Sequence, residues 1–265
     1  MSSSADAPRA RAPHGAAAYD GLAASALAER LGIPAVLLFD QVGSTLDVAH
    51  RVAPDAASGT LVLADEQTAG RGRQGRRWTS APGAGIWLTL VERPTDGRAL
   101  DVLSLRCGLY AAEALDALAE APIGVKWPND LYVGDRKLAG ILIETRWRGT
   151  APDWVAIGFG LNVVAPDVAT GVGLRPGVSR VAALDLLVPA LRRAAATSGH
   201  LGDDELARWN ARDIAVQGIV TSPAAGRAAG ISSQGELLIR DAAGALTRHR
   251  TGSLTFAAPS AYPCS

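Results

Sequence analysis

"TLVLADEQTAGRGRQGRRWTSAPGAGIWLTLV", residues 60 to 91, decides how the chain is read. At its centre, GRGRQGRRW (70–78) places four arginines within seven positions and closes on Trp78. Alone, that segment reads as a basic, glycine-rich tail that touches RNA. Its flanks argue otherwise. TLVLADEQ (60–67) and GIWLTLV (85–91) are apolar, β-rich runs bounded by turn residues, and they read as strands of a folded core. The arginines therefore sit in a loop between two strands. Guanidinium forks match phosphate and carboxylate oxygens, and glycines let backbone N–H groups face the same anion. Like charges and glycines resist ordering, so an anionic ligand would order the loop.

Upstream, residues 1–20 are mostly Ala, Ser, Pro and Arg and read as a disordered leader. GLAASALAERLG is a short helix stopped by Gly32 and Pro34, and AVLLF (35–39) is a strand. GSTLDVAHRVAP opens a helix with Ser44 or Thr45 at its N-cap. Downstream, residues 100–121 form one long amphipathic helix. IGVKW is a strand ended by Pro128, and DLYVGDRKLAGILIETRW is a hairpin turning near Gly134 and Asp135. WVAIGFGLNVV is a further strand. Two helices follow, the first bent or broken at Pro189. Beyond Asp213 the pattern changes to short strands with frequent turns, a small β-barrel. The boundaries are a leader (1–20), a catalytic-sized unit (21–212), a small β-domain (213–258) and a tail (259–265).

Three segments carry candidate chemistry. In WVAIGFGLNV, Val155, Ile157, Phe159, Leu161 and Val163 share a core face, while Gly158, Gly160 and Asn162 share the other. Two glycines on one strand face mark a close approach by a ligand or by another packed element. Asn162 can read a flat heterocycle with its donor and acceptor edge. In KLAGILIE (137–144), alternation puts Lys137 with Ala139, Ile141 and Ile143, opposite Leu138, Gly140 and Leu142. Both faces are apolar, so this is a central strand. Lys137 either snorkels from its end or is a fixed cation for an anionic ligand. In KWPND (126–130), Asn129 and Asp130 suit an ordinary turn equally well.

The 265 residues hold 26 basic and 26 acidic side chains, so any positive patch is local. A general nucleic-acid binder would carry a wider basic surface. The two cysteines, Cys107 and Cys264, form no disulfide framework. No apolar run reaches the roughly 18 residues of a membrane span, and the start lacks an apolar signal core. Cytoplasm is the default expectation.

Together, GRGRQGRRW, KWPND, KLAGILIE and GFGLN (158–162), in this order, resemble the biotin protein ligases over about residues 35–258. DQVGSTLDVA (40–49) is similar too, although many members carry Asn or Gln where this chain has Leu46. The resemblance implies an α+β fold. A mixed central sheet is flanked by helices, as in the biotin/lipoate ligase catalytic domain, and a small SH3-like barrel follows. It implies an ATP-dependent ligase that makes biotinyl-5′-AMP and passes biotin to one lysine of a biotin carboxyl carrier domain, with Mg²⁺ as cofactor. By the same resemblance, Lys137 and Arg73 are catalytic and touch both substrates. Ser44, Thr45, Gln67, Arg71 and Gly72 complete the biotin site. Arg76, Trp78, Asn129, Gly158, Gly160 and Asn162 bound the ATP side, and Asp130 is the one metal-ligand candidate. Some members are also repressors with an N-terminal winged helix. Only 34 residues precede the first strand here, so no DNA partner is expected. Several members dimerise, which leaves a homodimer open.

A lipoate or octanoate ligase shares the fold and the adenylation step, but its family lacks the arginine loop. A non-catalytic biotin sensor would need a reader domain, and an RNA module would need aromatics along a basic groove. Acid-dependent pyrophosphate exchange separates these readings.

Overall fold

Our computed structural model describes residues 14–216 and 218–257. Residues 1–13 of the expected leader and the expected tail lie outside them. Eight strands form a mixed sheet: β1 (His14–Gly15), β2 (Val36–Val42), β3 (Thr60–Gln67), β4 (Gly85–Glu92), β5 (Ile123–Lys126), β6 (Asp130–Val133), β7 (Arg136–Arg148) and β8 (Ala151–Asn162). Their order is β1-β2-β3-β4-β8-β7-β6-β5, with β2 and β3 parallel and every other pair antiparallel. The long β7 lies inside the sheet, as its two apolar faces require.

One face of the sheet carries the main core beneath α1 (Ala24–Leu31), α4 (Leu103–Leu115) and α5 (Arg180–Ala196). The other carries a smaller cluster beneath α2 (Thr45–Val52), built on Val42, Leu46, Val48 and Ala49. Gly32 ends α1 in the left-handed conformation (φ 61°), where a side chain would be strained. α5 runs unbroken past Pro189, because Leu187, Val188, Ala190 and Leu191 are all buried around it. The helix expected over 100–121 is divided. α3 (Gly97–Leu100) precedes α4, and a 3₁₀ turn (Asp116–Leu118) follows it. The Asp116 carboxylate accepts the Ile123 N–H at 2.8 Å and holds Arg212 at 2.6 Å, which turns the chain into β5.

The leader is ordered from His14, a correction to the expectation for residues 14–20. His14 and Gly15 pair with Gln41 and Phe39. Tyr19 is buried, and its hydroxyl donates to the Gly85 carbonyl at 3.2 Å. Arg180 stacks on the Tyr19 ring at 4.1 Å and pairs with Asp20 and Asp65. A buried aromatic and a shared guanidinium outweigh a composition that reads as disorder.

After α6 (Asp203–Arg212), five strands form a second, antiparallel sheet: β9 (Ile219–Ser222), β10 (Gly226–Ile231), β11 (Leu237–Arg240), β12 (Leu246–His249) and β13 (Thr255–Phe256). It fits the expected small β-domain. Trp127 Nε1 donates to the Gly235 carbonyl at 3.0 Å, tying this sheet to the first. No helix among the described residues is long and apolar enough to cross a membrane.

Candidate functional site

The site begins with a bulge. β6 and β7 pair Leu131 with Ala139 but Tyr132 with Lys137, leaving Leu138 as an extra residue. A bulge re-aims the side chain beside it. Lys137 therefore lies on the Gly140 side of the sheet, not with Ala139 and Ile141 as strict alternation predicts. Its Nζ is 2.8 Å from Asp130 Oδ1 and 5.1 Å from the centre of the Trp78 ring. The side chain is 32% exposed, so it is reachable from solvent rather than entombed.

Gly140 and Gly160 are cross-strand partners on β7 and β8. A Cβ on Gly160 would stand 2.6 Å from the Trp78 indole, and one on Gly140 would stand 2.9 Å from it. The bare strand face does admit a flat ring, and in this structure that ring is Trp78. Trp87 meets its edge at 6.4 Å between ring centres. At Gly158 the approaching group is Leu46, whose Cγ and Cδ1 lie 3.1 Å from a Cβ position. Leu46 is buried and forms an apolar wall of the cavity.

Beside Leu46 stands a polar end. Gln67 Oε1 accepts from the Thr45 N–H at 2.9 Å and from Thr45 Oγ1 at 3.1 Å. Thr89 Oγ1 donates to Thr45 Oγ1 at 2.9 Å, and Gln67 Nε2 donates to Ser80 Oγ at 2.9 Å. Ser44 occupies the N-cap of α2, but its hydroxyl caps nothing. That Oγ is buried and without a partner in the structure. Buried hydroxyls are normally satisfied, so this one is available to a ligand.

The arginine loop is a closed hairpin. Trp78 N–H donates to Gly70 O (2.9 Å), Gly72 N–H to Arg76 O (2.8 Å) and Arg76 N–H to Arg73 O (3.2 Å). The Gly72 amide is thus already occupied, which removes it as a donor to an anion. Arg73 is half-buried, and burial lowers its pKa. It donates to Asn129 Oδ1 and to Gly252 O, both at 3.2 Å, while Asn129 Nδ2 donates to Ile141 O at 2.8 Å. Arg76 reaches Ser253 Oγ at 3.2 Å. Arg71 is held by Asp47 at 3.0 Å and Glu144 at 3.1 Å. Gln74 adopts φ 56° at the tip, before Gly75 at 72°.

These groups enclose a cavity of about 260 Å³. Its lining brings together every site residue expected from sequence except Asn162. Asn162 is buried, and its Nδ2 lies 3.4 Å from the Lys137 carbonyl, so it supports the bulge instead. Six cationic side chains line the cavity against one carboxylate, Asp130. Such a surface favours a polyanion. The lining also includes residues the sequence did not single out: Lys126, Tyr132, Gly140, Ser253 and Leu254. Lys126 and Gly140 lie inside the motifs quoted above. Nothing local marks Ser253 or Leu254.

The pattern of the biotin/lipoate A/B protein ligase family matches residues 38–162. A biotin–[acetyl-CoA-carboxylase] ligase of Paracoccus denitrificans is 35% identical over 223 residues, covering 76% of this chain and 92% of that one. The bifunctional ligase/repressor BirA of Escherichia coli is 43% identical over 116 residues, 43% of this chain and 36% of that protein. Against that protein and three similar ligase/repressors, the chain spans only 33% to 40% of their length. In fold, the chain is similar to the Aquifex aeolicus biotin protein ligase in complex with biotin and ATP. The TM-score is 0.66 at 24% identity, over 84% of this chain and 99% of that one. With the family's pattern matched over residues 38–162 and a 35% identical relative matched over nearly its whole length, the chain belongs to the biotin protein ligases of the biotin/lipoate A/B protein ligase family.

Proposed function

We propose that this cavity joins biotin to ATP and delivers the biotinyl group to a lysine of a biotin carboxyl carrier domain. The observation that carries the reading is the placement of Lys137. The bulge brings its ammonium to the glycine face, between the polar end and the remaining cations. Ser44, Thr45 and Gln67 gather hydroxyl and amide donors and acceptors suited to a ureido ring. The cationic wall suits a triphosphate, and Trp78 offers a face for a base.

In the first step a biotin carboxylate oxygen bonds to the α-phosphorus, and the bond from that phosphorus to pyrophosphate breaks. Two anions must converge. Lys137 is placed to gain more as their charges approach than it does in the resting site, which is differential stabilisation. Asp130 holds the ammonium in position until then. In the second step the neutral acceptor amine attacks the acyl carbon, AMP leaves with the bond's electron pair, and the nitrogen gives up a proton to solvent as the amide forms. Arg73 would cover the adenylate and exclude water, and its bonds to Asn129 and Gly252 support that reading by fixing the guanidinium at the cavity wall.

Among the described residues no group of three or more His, Cys, Asp or Glu is set to hold a metal. Mg²⁺ fits as an ion carried mainly by the nucleotide phosphates, beside Asp130. It would neutralise phosphate charge there.

The test is pyrophosphate exchange into ATP with biotin, lipoate, octanoate or no acid, then labelling of a carrier domain. Exchange that requires biotin is expected. Exchange that requires lipoate or octanoate, or none with any acid, overturns the reading.

A further inference from the structure

Three cations of the cavity wall are each met by one short stretch, residues 252–256, made of the connection after β12 and of β13 itself. Gly252 O accepts from Arg73 at 3.2 Å, Ser253 Oγ meets Arg76 at 3.2 Å, and the Phe256 ring lies 5.3 Å from Lys126 Nζ. Tyr132 stands 5.2 Å from the same ammonium. Lys126 lines the cavity and is half-buried, and burial lowers its pKa, with Lys137 and Arg76 adding to the effect. Asp130 acts on it only through space, because that carboxylate is paired with Lys137. A cation desolvated among like charges is unfavourable until an anion arrives. The two rings offset part of that cost through their π faces.

Position narrows the anion. Thr45 and Gln67 lie at the β3 side of the cavity, whereas Lys126 is on β5, five places along the sheet. At about 4.8 Å per strand that is roughly 24 Å, with Lys137 on β7 between them. An acid held at the polar end and activated beside Lys137 leaves Lys126 beyond the reacting phosphorus.

We propose that Lys126 is a further phosphate-binding residue, holding the pyrophosphate that leaves during adenylation, and that Phe256 positions it from the second sheet. The proposal rests on the reading of the cavity as an adenylation site. As the bond from the α-phosphorus to the bridging oxygen breaks, its electron pair passes to pyrophosphate, and the fixed ammonium stabilises that gain in charge. Arg73 and Arg76 are held from residues 252–253, so β13 and the connection leading into it set the geometry of three cations.

The test uses full-length variants Lys126→Met, Phe256→Leu and Phe256→Tyr in biotin-dependent pyrophosphate exchange. Lys126→Met is expected to raise the KM for pyrophosphate roughly tenfold or more while biotin affinity is unchanged. Phe256→Leu keeps an apolar contact but loses the π face, so it is expected to raise the same KM severalfold with kcat retained. Phe256→Tyr restores it. Pyrophosphate KM values within about twofold of wild type in both Lys126→Met and Phe256→Leu overturn the proposal. Should wild type show no exchange with any acid, the adenylation reading fails, and calorimetry with pyrophosphate alone still decides on Lys126. Weaker binding to Lys126→Met then supports the phosphate site, and equal binding overturns it. Lys126→Gln repeats each measurement with a polar replacement should the Met variant unfold.

Discussion

At the scale of single residues, Lys137 and Gly160 carry the sharpest expectations. Lys137 is held at 2.8 Å by Asp130 and stands beside the Trp78 ring. With about a third of its side chain exposed, its effect does not come from a dry surrounding. It comes from placement between converging charges. Lys137→Ala should lower single-turnover adenylate formation by about 10² to 10³ at saturating biotin and ATP. Lys137→Arg should not restore it, because a planar fork cannot take the place of a point charge between Asp130 and Trp78. Rates within about threefold of wild type would reduce the lysine to a snorkelling side chain. At Gly160 the first casualty of a side chain is Trp78, 2.6 Å from the new Cβ. Gly160→Ala should expel the indole and weaken binding of an adenylate analogue roughly tenfold or more, about 1.4 kcal/mol. The main core lies on the other face, so the unfolding midpoint should hardly move. Calorimetry beside thermal unfolding checks both, and unchanged affinity would contradict the assignment of that face.

At the scale of elements, the arginine loop divides its arginines between anchoring and reach. Arg71 is committed to Asp47 and Glu144, and Arg77 to the Thr68 carbonyl at 3.0 Å. Arg73 and Arg76 lean instead on neutral acceptors, Asn129, Gly252 and Ser253, and keep their charge for a ligand. The hairpin's backbone bonds do not depend on the Arg73 side chain. Arg73→Gly should therefore leave the loop built but open over the cavity. Adenylate should still form and then escape, labelling lysines on bystander proteins. A mixed-protein labelling assay reads this directly, and undiminished selectivity for the carrier domain would contradict it.

At the scale of the whole molecule, the joint between the two sheets holds a buried acid. Asp213 is 5% exposed, bridges to Val125 of β5, and accepts the Ala215 N–H at 2.9 Å. Burial pushes its carboxyl up to about 6. The folded state thus holds the proton more tightly than the unfolded chain. Its stabilising effect is complete below the ordinary aspartate pKa, about 4, and is lost as pH rises through about 6. At about 1.4 kcal/mol per pH unit the swing is on the order of 3 kcal/mol. Asp213→Asn should flatten the fall in stability between about pH 4 and 6, as measured by denaturant unfolding across that range. An identical pH profile for wild type and variant would remove Asp213 as the cause. Nearby, Arg106 is wholly buried and forks onto Glu205 at 2.6 and 2.9 Å. It also donates to the carbonyls of Thr197, Gly199 and His200, fixing the connection between α5 and α6.

Local pattern was enough to place β2 to β8, helices α1, α2, α5 and α6, the bare glycine face and the anion-seeking loop, because side-chain period and turn chemistry are encoded within a few residues. It was also enough to collect most of the cavity wall, since GRGRQGRRW, KWPND, KLAGILIE and GFGLN each keep their side chains close in sequence. Alternation misplaced Lys137, because a bulge depends on the register between two strands and not on either strand's own sequence. Composition likewise hid the order of His14 to Asp20, which comes from pairing with β2 and from Arg180, some 160 residues away. The covering of Gly140 and Gly160 by Trp78, the engagement of Asn162 with the Lys137 carbonyl, and the reach of Gly252, Ser253 and Phe256 into the cation wall were decided only by tertiary structure. Each joins groups distant along the chain, and no local period records which of many possible long-range contacts the folded core makes.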